Sequence, residues 1–554
     1  MTRSMYLCPC LLAAALTAQV STPPTGSSAK PGSIEGTVVN AVTHAPVRGA
    51  SIALAGPPNR NSLDALSDDT GKFTFAGVSP GSYRIQSVQA QGYMFQRPGP
   101  RSIAGAPIAV AEERTVTGVT IELMPLGVIA GKVVDDDGEP LRRVTIQAIG
   151  YSYTLGRRNY STAGSTGTDD RGQFRLIDLP PGRYFVRASF ATFTDLVSGD
   201  FSVPPPNTYR TFPQLGYAPT FFPNAADAAE ATASVVAAGS ETSGVDFRLH
   251  AVPVFHIRGK VSNPPAGGPL LVGARNCAWV DATGFPWPYT ASTQTDGSFD
   301  LRAMAPGVYC VALIPNGRNS DLYASATFVL KDRDLENVDL AATPLLPVSG
   351  VVEVEGNADL PPGPSVFLRN PNGAFGRSAQ VKAGKFSMDD IFPDTYLVSL
   401  NGLPPAMYLK SIRYGTEDVP GGTVSIRGDG SLLTLKIGSD AGSLSGTVQT
   451  ESGDPAAGAM VTAVPDDLPP GRGDLVKSAR TDQSGKFTLQ GVPPGPCKVY
   501  AWEDPEYYNL AMVPEFVKEF AASAAAATVS AGGRDTVQVK LIPADEAQRV
   551  KARL

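Results

Sequence analysis

The sequence predicts an all-β protein in which five β-sandwich domains follow one another along the chain. Three observations lead to this fold class. A two-turn motif occurs five times, a short strand with a central glycine precedes each copy, and apolar residues alternate with polar ones as in strands. Gly and Pro, 57 and 49 of 554 residues, supply the turns that many short strands require. Helical periodicity is almost absent, which argues against a helical or α/β fold.

The repeated motif consists of a turn of the form Asp-x-x-Gly-x-Phe, a strand, and a second turn that reads Pro-Gly-x-Tyr. Its five copies span residues 69–83, 170–184, 295–309, 384–396 and 484–497. The third copy has its aspartate, Asp296, directly before the glycine. The fourth lacks the aspartate and the Pro-Gly pair, and the fifth has Cys497 in place of the tyrosine. A repeated motif without a repeated reactive residue favours an array of binding or spacer modules over one catalytic centre.

Each motif is preceded by a strand in which a glycine lies between apolar residues. The central glycines are Gly36, Gly131, Gly259, Gly350 and Gly446. Because side chains alternate along a strand, the glycine shares one face with the apolar residues two positions away, and a neighbouring strand or ring can approach closely there. The glycines recur about every hundred residues, the length of one small sandwich domain. Each unit is predicted to close with an alternating strand, such as residues 119–123.

The predicted domain boundaries follow from these repeats. Residues 1–18 combine Arg3 with a short apolar run and small residues, which is typical of a secretory signal peptide; a short buried helix is the alternative. The five sandwiches are predicted at residues 31–124, 125–250, 253–342, 345–438 and 442–543. The second is predicted to carry an insert rich in aromatic residues, proline and alanine at about 196–238. In the fifth, residues 515–520 have the pattern of one short helix.

The charge of the chain bears on its partners. Charged residues make up 18% of the sequence, and the formal net charge is −6. Nucleic-acid binding would need a basic stripe, so we expect no nucleic-acid partner. Beyond the amino terminus, no stretch approaches the roughly 20 apolar residues of a membrane-spanning helix, so we expect no membrane span. The expected location is the periplasm, the outer surface or the extracellular space.

The residue inventory argues against an enzyme. A zinc carboxypeptidase needs a His-x-x-Glu pair and a third ligand, but the three histidines, His44, His250 and His256, lack a Glu at that spacing. So few histidines also leave little material for a Ser-His-Asp or Cys-His centre. We therefore predict no catalytic residue, no bound metal and no cofactor. Asp-rich turns, such as residues 135–137, are interpreted as backbone-capping turns, with calcium binding as the alternative.

Three cysteines follow the predicted signal peptide: Cys277, Cys310 and Cys497. Cys277 and Cys310 lie on two predicted strands of one repeat, and an exported protein meets an oxidising environment, so a disulfide between them is one interpretation. Two small buried thiols are the other. Cys497 occupies the tyrosine position of the repeat and is expected in a domain core.

The Ile/Val-x-Gly-x-Val strand, the Asp-x-x-Gly-x-Phe turn and the Pro-Gly-x-Tyr turn resemble the carboxypeptidase regulatory-like domain, a transthyretin-like or prealbumin-like β-sandwich. The resemblance covers nearly all of the chain after the predicted signal peptide, and it is stronger in copies one, two and five than in three and four. It implies a non-catalytic module that accompanies metallocarboxypeptidase catalytic domains, surface proteins and outer-membrane receptors. It also implies a fold similar to the carbohydrate-binding modules of starch-active enzymes.

Aromatic residues in predicted loops are the candidates for ligand binding, because exposed rings with polar rims suit a sugar. The candidates are Trp502, Tyr507, Tyr508, Trp279 and Trp287. Trp502 is the strongest of them, since the acidic residues at 503, 504 and 506 surround it with hydrogen-bond acceptors. The alternative is that these rings cover the open ends of the sandwiches.

The sequence therefore predicts a non-catalytic, exported, multidomain binding or scaffold protein of the cell envelope or the extracellular space, with an envelope protein as partner. The alternative is a carbohydrate-binding protein that uses its loop aromatics, with a polysaccharide as ligand. Exposed rings in one plane would favour the carbohydrate alternative, whereas a large flat apolar patch would favour a protein partner.

Overall fold

The computed structural model of the chain consists mainly of β-strands, which confirms that the fold is all-β. The structure describes residues 30–553, except 57–61, 96–107, 155, 191–214, 227, 229, 264–267, 278–286, 288, 315–320, 358, 372–375 and 552. The predicted signal peptide, Trp279 and the first part of the predicted insert lie outside the described residues. Five segments of chain, each with one glycine-centred strand and one copy of the motif, are described in turn: residues 30–125, 126–254, 255–345, 346–441 and 442–553.

The first segment contains two four-stranded sheets that share one hydrophobic core. Its strands are β1 (Gly32–Asn40), β2 (Ser51–Ala55), β3 (Leu63–Leu66), β4 (Lys72–Val78), β5 (Gly81–Gln89), β6 (Tyr93–Met94), β7 (Ile108–Val110) and β8 (Thr115–Pro125). The strand orders are β4-β1-β8-β6 and β3-β2-β5-β7. Alternating residues of both sheets point into the core, as expected for a half-buried strand.

The second segment has the same arrangement with added strands. Its strands are β9 (Gly127–Val134), β10 (Thr145–Thr154), β11 (Arg157–Gly167), β12 (Gln173–Leu179), β13 (Gly182–Ser189), β14 (Leu215–Tyr217), β15 (Thr220–Phe221), β16 (Ser234–Val236), β17 (Glu241–Thr242), β18 (Phe247–Arg248) and β19 (Ala251–Pro253). One sheet has the order β11-β10-β13-β15, with β16 also paired to β13. The described part of the predicted insert thus contributes β14, β15 and β16 to the sheets.

The third and fourth segments each place two main sheets, of three to five strands, around one core. The third contains β20 (Phe255–Ser262), β21 (Leu271–Asn276), β22 (Tyr289–Ser292), β23 (Ser298–Met304), β24 (Gly307–Ile314), β25 (Leu322–Tyr323), β26 (Ser325–Leu330), β27 (Leu335–Ala341) and β28 (Thr343–Pro344). The fourth contains β29 (Leu346–Val354), β30 (Ser365–Arg369), β31 (Gly376–Gln380), β32 (Lys385–Ile391), β33 (Asp394–Asn401), β34 (Tyr408–Tyr414), β35 (Glu417–Asp418), β36 (Thr423–Ile426) and β37 (Leu433–Gly438). A 3₁₀ turn, Glu355–Asn357, follows β29.

The fifth segment joins its strands into one seven-stranded sheet and adds helices. Its strands are β38 (Gly442–Gln449), β39 (Met460–Pro465), β40 (Lys477–Arg480), β41 (Lys486–Val492), β42 (Gly495–Trp502), β43 (Ala525–Val529) and β44 (Arg534–Ile542). The α-helices are α1 (Pro514–Glu519) and α2 (Ala544–Lys551), and 3₁₀ turns are formed by Gly473–Leu475, Pro505–Tyr508 and Leu510–Met512. The short helix expected at 515–520 is α1, whereas α2 is not predicted from the sequence.

The glycine-centred strand has the same neighbours in each segment. It pairs antiparallel with the strand that follows the Asp turn and parallel with the closing strand of the segment. The antiparallel pairs are β1–β4, β9–β12, β20–β23, β29–β32 and β38–β41. The parallel pairs are β1–β8, β9–β17 with β9–β18, β20–β27, β29–β37 and β38–β44.

The central glycine lies opposite the phenylalanine of the motif in all five segments. The register pairs are Gly36–Phe73, Gly131–Phe174, Gly259–Phe299, Gly350–Phe386 and Gly446–Phe487. A Cβ atom added at Gly446 would lie 1.8 Å from the carbonyl oxygen of Val537 and 2.9 Å from the Phe487 ring. This confirms the predicted close approach, since only glycine leaves room for both the closing strand and the ring.

The fourth and fifth segments meet at a buried arginine. The Arg472 guanidinium, only 2% exposed as a residue, makes a two-point ion pair with Asp474, at 2.8 and 2.9 Å. Its Nη2 also donates a hydrogen bond of 2.5 Å to the carbonyl oxygen of Leu409 on β34. A buried charge needs such partners, so this contact ties the two segments together.

Candidate functional site

The carboxylate of the repeated turn binds the backbone of its own turn. Asp68 accepts hydrogen bonds from the Thr70 hydroxyl, at 2.8 Å, and from the backbone N–H groups of Thr70 and Lys72, at 2.8 and 2.9 Å. These bonds hold the pKa of the Asp68 carboxyl below its ordinary value. Asp169 and Asp482 accept the corresponding bonds from their own turns. The carboxylate therefore stabilises the hairpin.

The bonded aspartate is one residue earlier in the first two copies than the start assigned from the sequence: Asp68, not Asp69, and Asp169, not Asp170. In the third segment, Asp296 caps the turn by accepting bonds from the hydroxyl and the N–H of Ser298, which lower its pKa to about 2.

The Asp-rich turn at 135–137 also has a capping aspartate, Asp135, which accepts bonds from the N–H groups of Asp137 and Glu139. The capping interpretation is confirmed for these turns. Within the described ranges, no three His, Cys, Asp or Glu side chains are grouped so that they could hold a metal ion.

A buried hydroxyl directly before the Asp turn is a feature that sequence reasoning missed. The Thr481 hydroxyl accepts a hydrogen bond from the N–H of Ala459, at 2.8 Å, and donates one to the carbonyl oxygen of Ala456, at 2.5 Å. Ser67, Thr168 and Thr293 accept the equivalent backbone bond in the first three segments. The sequence does contain a pattern that could have predicted this bond, because a Ser or Thr directly precedes the turn in four of the five copies.

The fourth segment replaces this hydroxyl by Val381, and the structure explains why. The backbone N–H of Val381 donates to the carbonyl oxygen of Pro364, just as the N–H of Thr481 donates to Ala459. Pro364 therefore occupies the position of Ala459, but proline has no N–H to donate. A hydroxyl at position 381 would therefore lack the backbone N–H donor that Ala459 supplies to Thr481.

The motif tyrosine closes the second turn. Tyr83 donates a hydrogen bond from its hydroxyl to the carbonyl oxygen of Ser79, four residues earlier, at 2.8 Å. Tyr184, Tyr309 and Tyr396 bond to the residue four positions earlier in the same way. Burial raises the pKa of Tyr184 to about 12. These hydroxyls are thus structural donors.

Cys497 lies in the core of the fifth segment, as expected. Burial, with smaller contributions from Asp466 and Asp535, raises the pKa of its thiol to about 11. A thiol that stays protonated at neutral pH is a poor nucleophile. Cys497, which replaces the motif tyrosine in the fifth segment, is therefore a core residue and not a reactive thiol.

The histidines are spread over three segments. The His250 ring contacts the Asp136 carboxylate at 2.5 Å, and the His256 ring contacts Asp300 at 2.7 Å. Arg258 adds ion pairs to Asp334 beside the His256 contact. His44 lies in a turn of the first segment with a positive φ of 56°. The three rings thus serve separate local contacts and do not converge on one site.

Trp502 was the first candidate for an exposed binding platform, and this prediction is wrong. Trp502 is 0% exposed. Its indole ring is stacked on Tyr500, with centroids 5.4 Å apart, and it packs against Phe516 at 5.4 Å and Phe520 at 5.3 Å. Helix α1 and the 3₁₀ turns before it cover the ring, so the aromatic residues form a second hydrophobic cluster of the fifth segment.

Tyr507 is the second correction. It is 3% exposed and donates a hydrogen bond from its hydroxyl to the side-chain oxygen of Gln548 on α2, at 3.0 Å. Tyr508 is half-buried against the same cluster, and burial raises the pKa of its hydroxyl. The sequence missed these contacts because α2, which packs Ala547 and Val550 on the cluster, was not predicted.

Trp287 is half-buried in the third segment, with the Arg275 guanidinium 4.9 Å from its ring centroid. Trp279 lies outside the described residues. Of the four described candidates, Trp502, Tyr507 and Tyr508 share the buried cluster of the fifth segment and Trp287 lies in the third, so the carbohydrate hypothesis loses the residues that best supported it.

Cys277 and Cys310 are close in space, as the sequence suggests. Their Cα atoms are 5.1 Å apart and their sulfur atoms are within bonding distance, at 2.20 Å. Cys277 follows β21 and Cys310 lies on β24, and these strands pair with each other. The arrangement is suited to a disulfide across the two strands.

The fold and the turn geometry define a repeated β-sandwich whose characteristic residues are structural. A family model for the carboxypeptidase regulatory-like domain matches residues 33–123, 128–215 and 443–542, together half of the chain. The chain therefore belongs to the carboxypeptidase regulatory-like domain family.

Similarity to individual proteins is lower. The chain is 20% identical over 380 residues to Colossin-A of Dictyostelium discoideum, an alignment that covers 63% of this chain and 3% of that protein. The chain thus spans a small part of the length of this relative.

Solved structures with similar strands include the Bacillus anthracis TIE protein, a streptococcal ancillary pilin and the minor pilin of Streptococcus agalactiae. Their identities are 14, 12 and 13%, and their TM-scores are 0.17, 0.18 and 0.21. The alignments cover 57, 52 and 40% of this chain and 51, 98 and 97% of those chains. TM-scores this low carry no information on the arrangement or function of this chain.

Proposed function

We propose that this chain is an exported, non-catalytic array of five β-sandwich domains that acts as a binding or scaffold protein of the cell envelope or the extracellular space. The proposed domains are residues 31–124, 125–250, 253–342, 345–438 and 442–543, with the helix α2 added to the fifth. Residues 1–18 are proposed as the signal peptide.

The observation that carries this proposal is the use of the repeated residues. In the copies that have them, the glycine, phenylalanine, hydroxyl, aspartate and tyrosine of the motif are engaged in contacts within their own segment. An enzyme family keeps reactive groups at one site, whereas these repeated groups stabilise a fold. Among the described residues, no helix has the length and apolarity to span a membrane.

Export can be tested by expressing the full chain with a carboxy-terminal tag in a Gram-negative host, beside a variant that lacks residues 1–18. The full chain is expected outside the cytoplasm, with a new amino terminus near residue 19. The truncated variant is expected to stay in the cytoplasm. An uncut full chain in the cytoplasmic fraction would contradict the proposal.

The same samples test the disulfide, which we propose between Cys277 and Cys310. Alkylation without reduction is expected to leave both cysteines unmodified in exported protein and to modify them in the truncated variant, because the cytoplasm is reducing. A Cys310→Ser variant, in which Cys277 becomes reactive in the exported protein, is the control. Modification of both cysteines in exported wild-type protein would contradict the disulfide.

The domain division predicts that residues 442–553 fold alone. Two hydrophobic clusters lie within this segment, and Tyr153 is the one described hydrophobic residue from another segment that packs against the second of them. The separately expressed fragment should unfold cooperatively in denaturant. A fragment without a cooperative transition would show that the fifth segment depends on the rest of the chain.

A further inference from the structure

A shallow cleft of about 740 Å³ lies on the first segment, at the carboxyl end of β5. One wall is formed by β2 and β5, and the other by the turn that leads into β6 and by the residue after β6. The lining residues are Gly49, Ser51, Gln86, Ser87, Val88, Gln89, Ala90, Gln91, Tyr93, Met94 and Phe95. The proposed function makes no use of this cleft.

The lining is polar, and none of the lining residues that the structure describes carries a charged side chain. Gln86, Gln89 and Gln91 are exposed, and among the described residues none of these amides has a hydrogen-bond partner. Each amide offers two donors and an acceptor, so the cleft presents both kinds of group to a ligand. A phosphate or carboxylate would call for cationic side chains, and no described lining residue supplies one.

Two aromatic rings border the same cleft. Tyr93 and Phe95 are half-buried, and both pack against the core of the first segment. A ring held in this way is pre-oriented, and it offers apolar contact area at a low cost in conformational entropy. Neutral amides beside fixed rings match a ligand that has hydroxyl groups on its rim and C–H groups on its faces.

The shape of the cleft favours a polymer over a small metabolite. Pockets for small molecules enclose most of the ligand surface, whereas this cleft is largely open to solvent. An open cleft of this kind can take one part of a chain of sugar residues while the rest of the chain stays in solvent. We propose that this cleft binds a neutral polysaccharide chain, through the amides of Gln86, Gln89 and Gln91 and the rings of Tyr93 and Phe95.

The test is affinity gel electrophoresis of the full chain in gels that contain laminarin, dextran, xylan or galactomannan, with polygalacturonate as an acidic comparison. At least one neutral polysaccharide should slow migration, and polygalacturonate should not. The double variant Gln86→Ala/Gln91→Ala should weaken the retarding affinity by about thirtyfold, because two lost hydrogen bonds of about 1 kcal/mol each amount to about 2 kcal/mol. Both side chains are exposed, so folding should be preserved.

Gln490→Ala is the matched control, since Gln490 is an exposed strand glutamine of the fifth segment, and its migration should equal that of the wild type. Normal migration of the wild type in every neutral polysaccharide would overturn the proposal. Equal retardation of wild type and double variant would also overturn it, as would retardation by polygalacturonate alone. Binding of a neutral extended peptide in place of any polysaccharide would assign the cleft to a protein partner and overturn it too. None of these results bears on the export of the chain, so the proposed function and the proposed cleft are tested separately.

Discussion

The fourth and fifth segments lack opposite halves of the repeated motif. The fourth keeps the tyrosine bond, from Tyr396 to the carbonyl oxygen of Phe392, but has Val381 in place of the hydroxyl and no aspartate in its turn. The fifth keeps Thr481 and its capping aspartate but has Cys497 in place of the tyrosine. Both segments nevertheless form the same strand pairs around the central glycine.

This difference shows that the two turns are separate local devices. Each turn contributes a few hydrogen bonds near its own hairpin and can be lost without loss of the fold. The contact between the central glycine and the motif phenylalanine is kept in both segments, at Gly350 and Phe386 and at Gly446 and Phe487. We infer that this contact, which sets the strand register, is the common requirement of the fold.

The largest effect is expected for the central glycine. Gly446→Ala would place a Cβ 1.8 Å from the Val537 carbonyl oxygen, and Gly350→Ala would place one 2.4 Å from that of Leu433. Each should destabilise its own segment by about 3 kcal/mol or more, because backbone atoms must move. Hydrogen–deuterium exchange of the full chain measures this loss strand by strand.

Gly167→Ala is the control, since a Cβ there would meet no atom within 4 Å. Its exchange should be unchanged. If Gly350→Ala or Gly446→Ala left the protection of its own strands intact, the glycine contact would not be the shared requirement.

The second effect concerns the aromatic cluster, which distinguishes the fifth segment from the fourth. Trp502→Ala should cost about 3–5 kcal/mol, because it leaves a cavity among Tyr500, Phe516 and Phe520. Exchange should rise in α1 and α2. Trp287→Ala, at a half-buried ring of the third segment, should cost clearly less. Equal losses for the two variants would contradict the core role of Trp502.

The sequence was sufficient for features that repeat and insufficient for those that occur once. Alternation, Gly-Pro turns and the five glycines predicted the strands and their close approach, because these depend on local periodicity. Trp502 was misplaced because its acidic neighbours suggested a solvated loop. Its burial depends on Phe516 and Phe520, in and directly after α1, and the local sequence predicts that helix but not where it packs.

The buried hydroxyl offers a reciprocal test of the comparison. Thr481→Val should destabilise the fifth segment by about 1–3 kcal/mol, because the N–H of Ala459 loses its partner. Val381→Thr should also destabilise the fourth, by about 1 kcal/mol, since Pro364 has no N–H for the new hydroxyl. Denaturant unfolding followed by exchange in each segment separates the two effects. A stabilising Val381→Thr would refute the role assigned to Pro364.

Acid should weaken the Asp turn of the fifth segment, whereas the corresponding turn of the fourth segment has no aspartate to protonate. The backbone and Ser484 bonds lower the pKa of Asp482, so its stabilising contribution is present above the unfolded pKa near 4 and is lost as pH falls through the lower folded pKa. The unfolding midpoint of the fifth segment, followed by Trp502 fluorescence in a Trp279→Phe/Trp287→Phe chain, should therefore fall on acidification. Asp482→Asn should reduce that fall. An unchanged pH dependence would show that this carboxylate does not stabilise the turn.

The smallest effect is expected for the tyrosine bond of the fourth segment. Tyr396→Phe removes the hydroxyl that donates to Phe392, at 3.0 Å, while the ring stays in the core, so the loss should be about 0.5–1.5 kcal/mol in denaturant unfolding. Tyr184→Phe in the second segment should match it. The fifth segment, which folds with Cys497 at this position, is the natural reference for so small a cost. A loss above about 3 kcal/mol would make the tyrosine a primary requirement, and the aromatic cluster around Trp502 would then be the compensation that lets the fifth segment do without it.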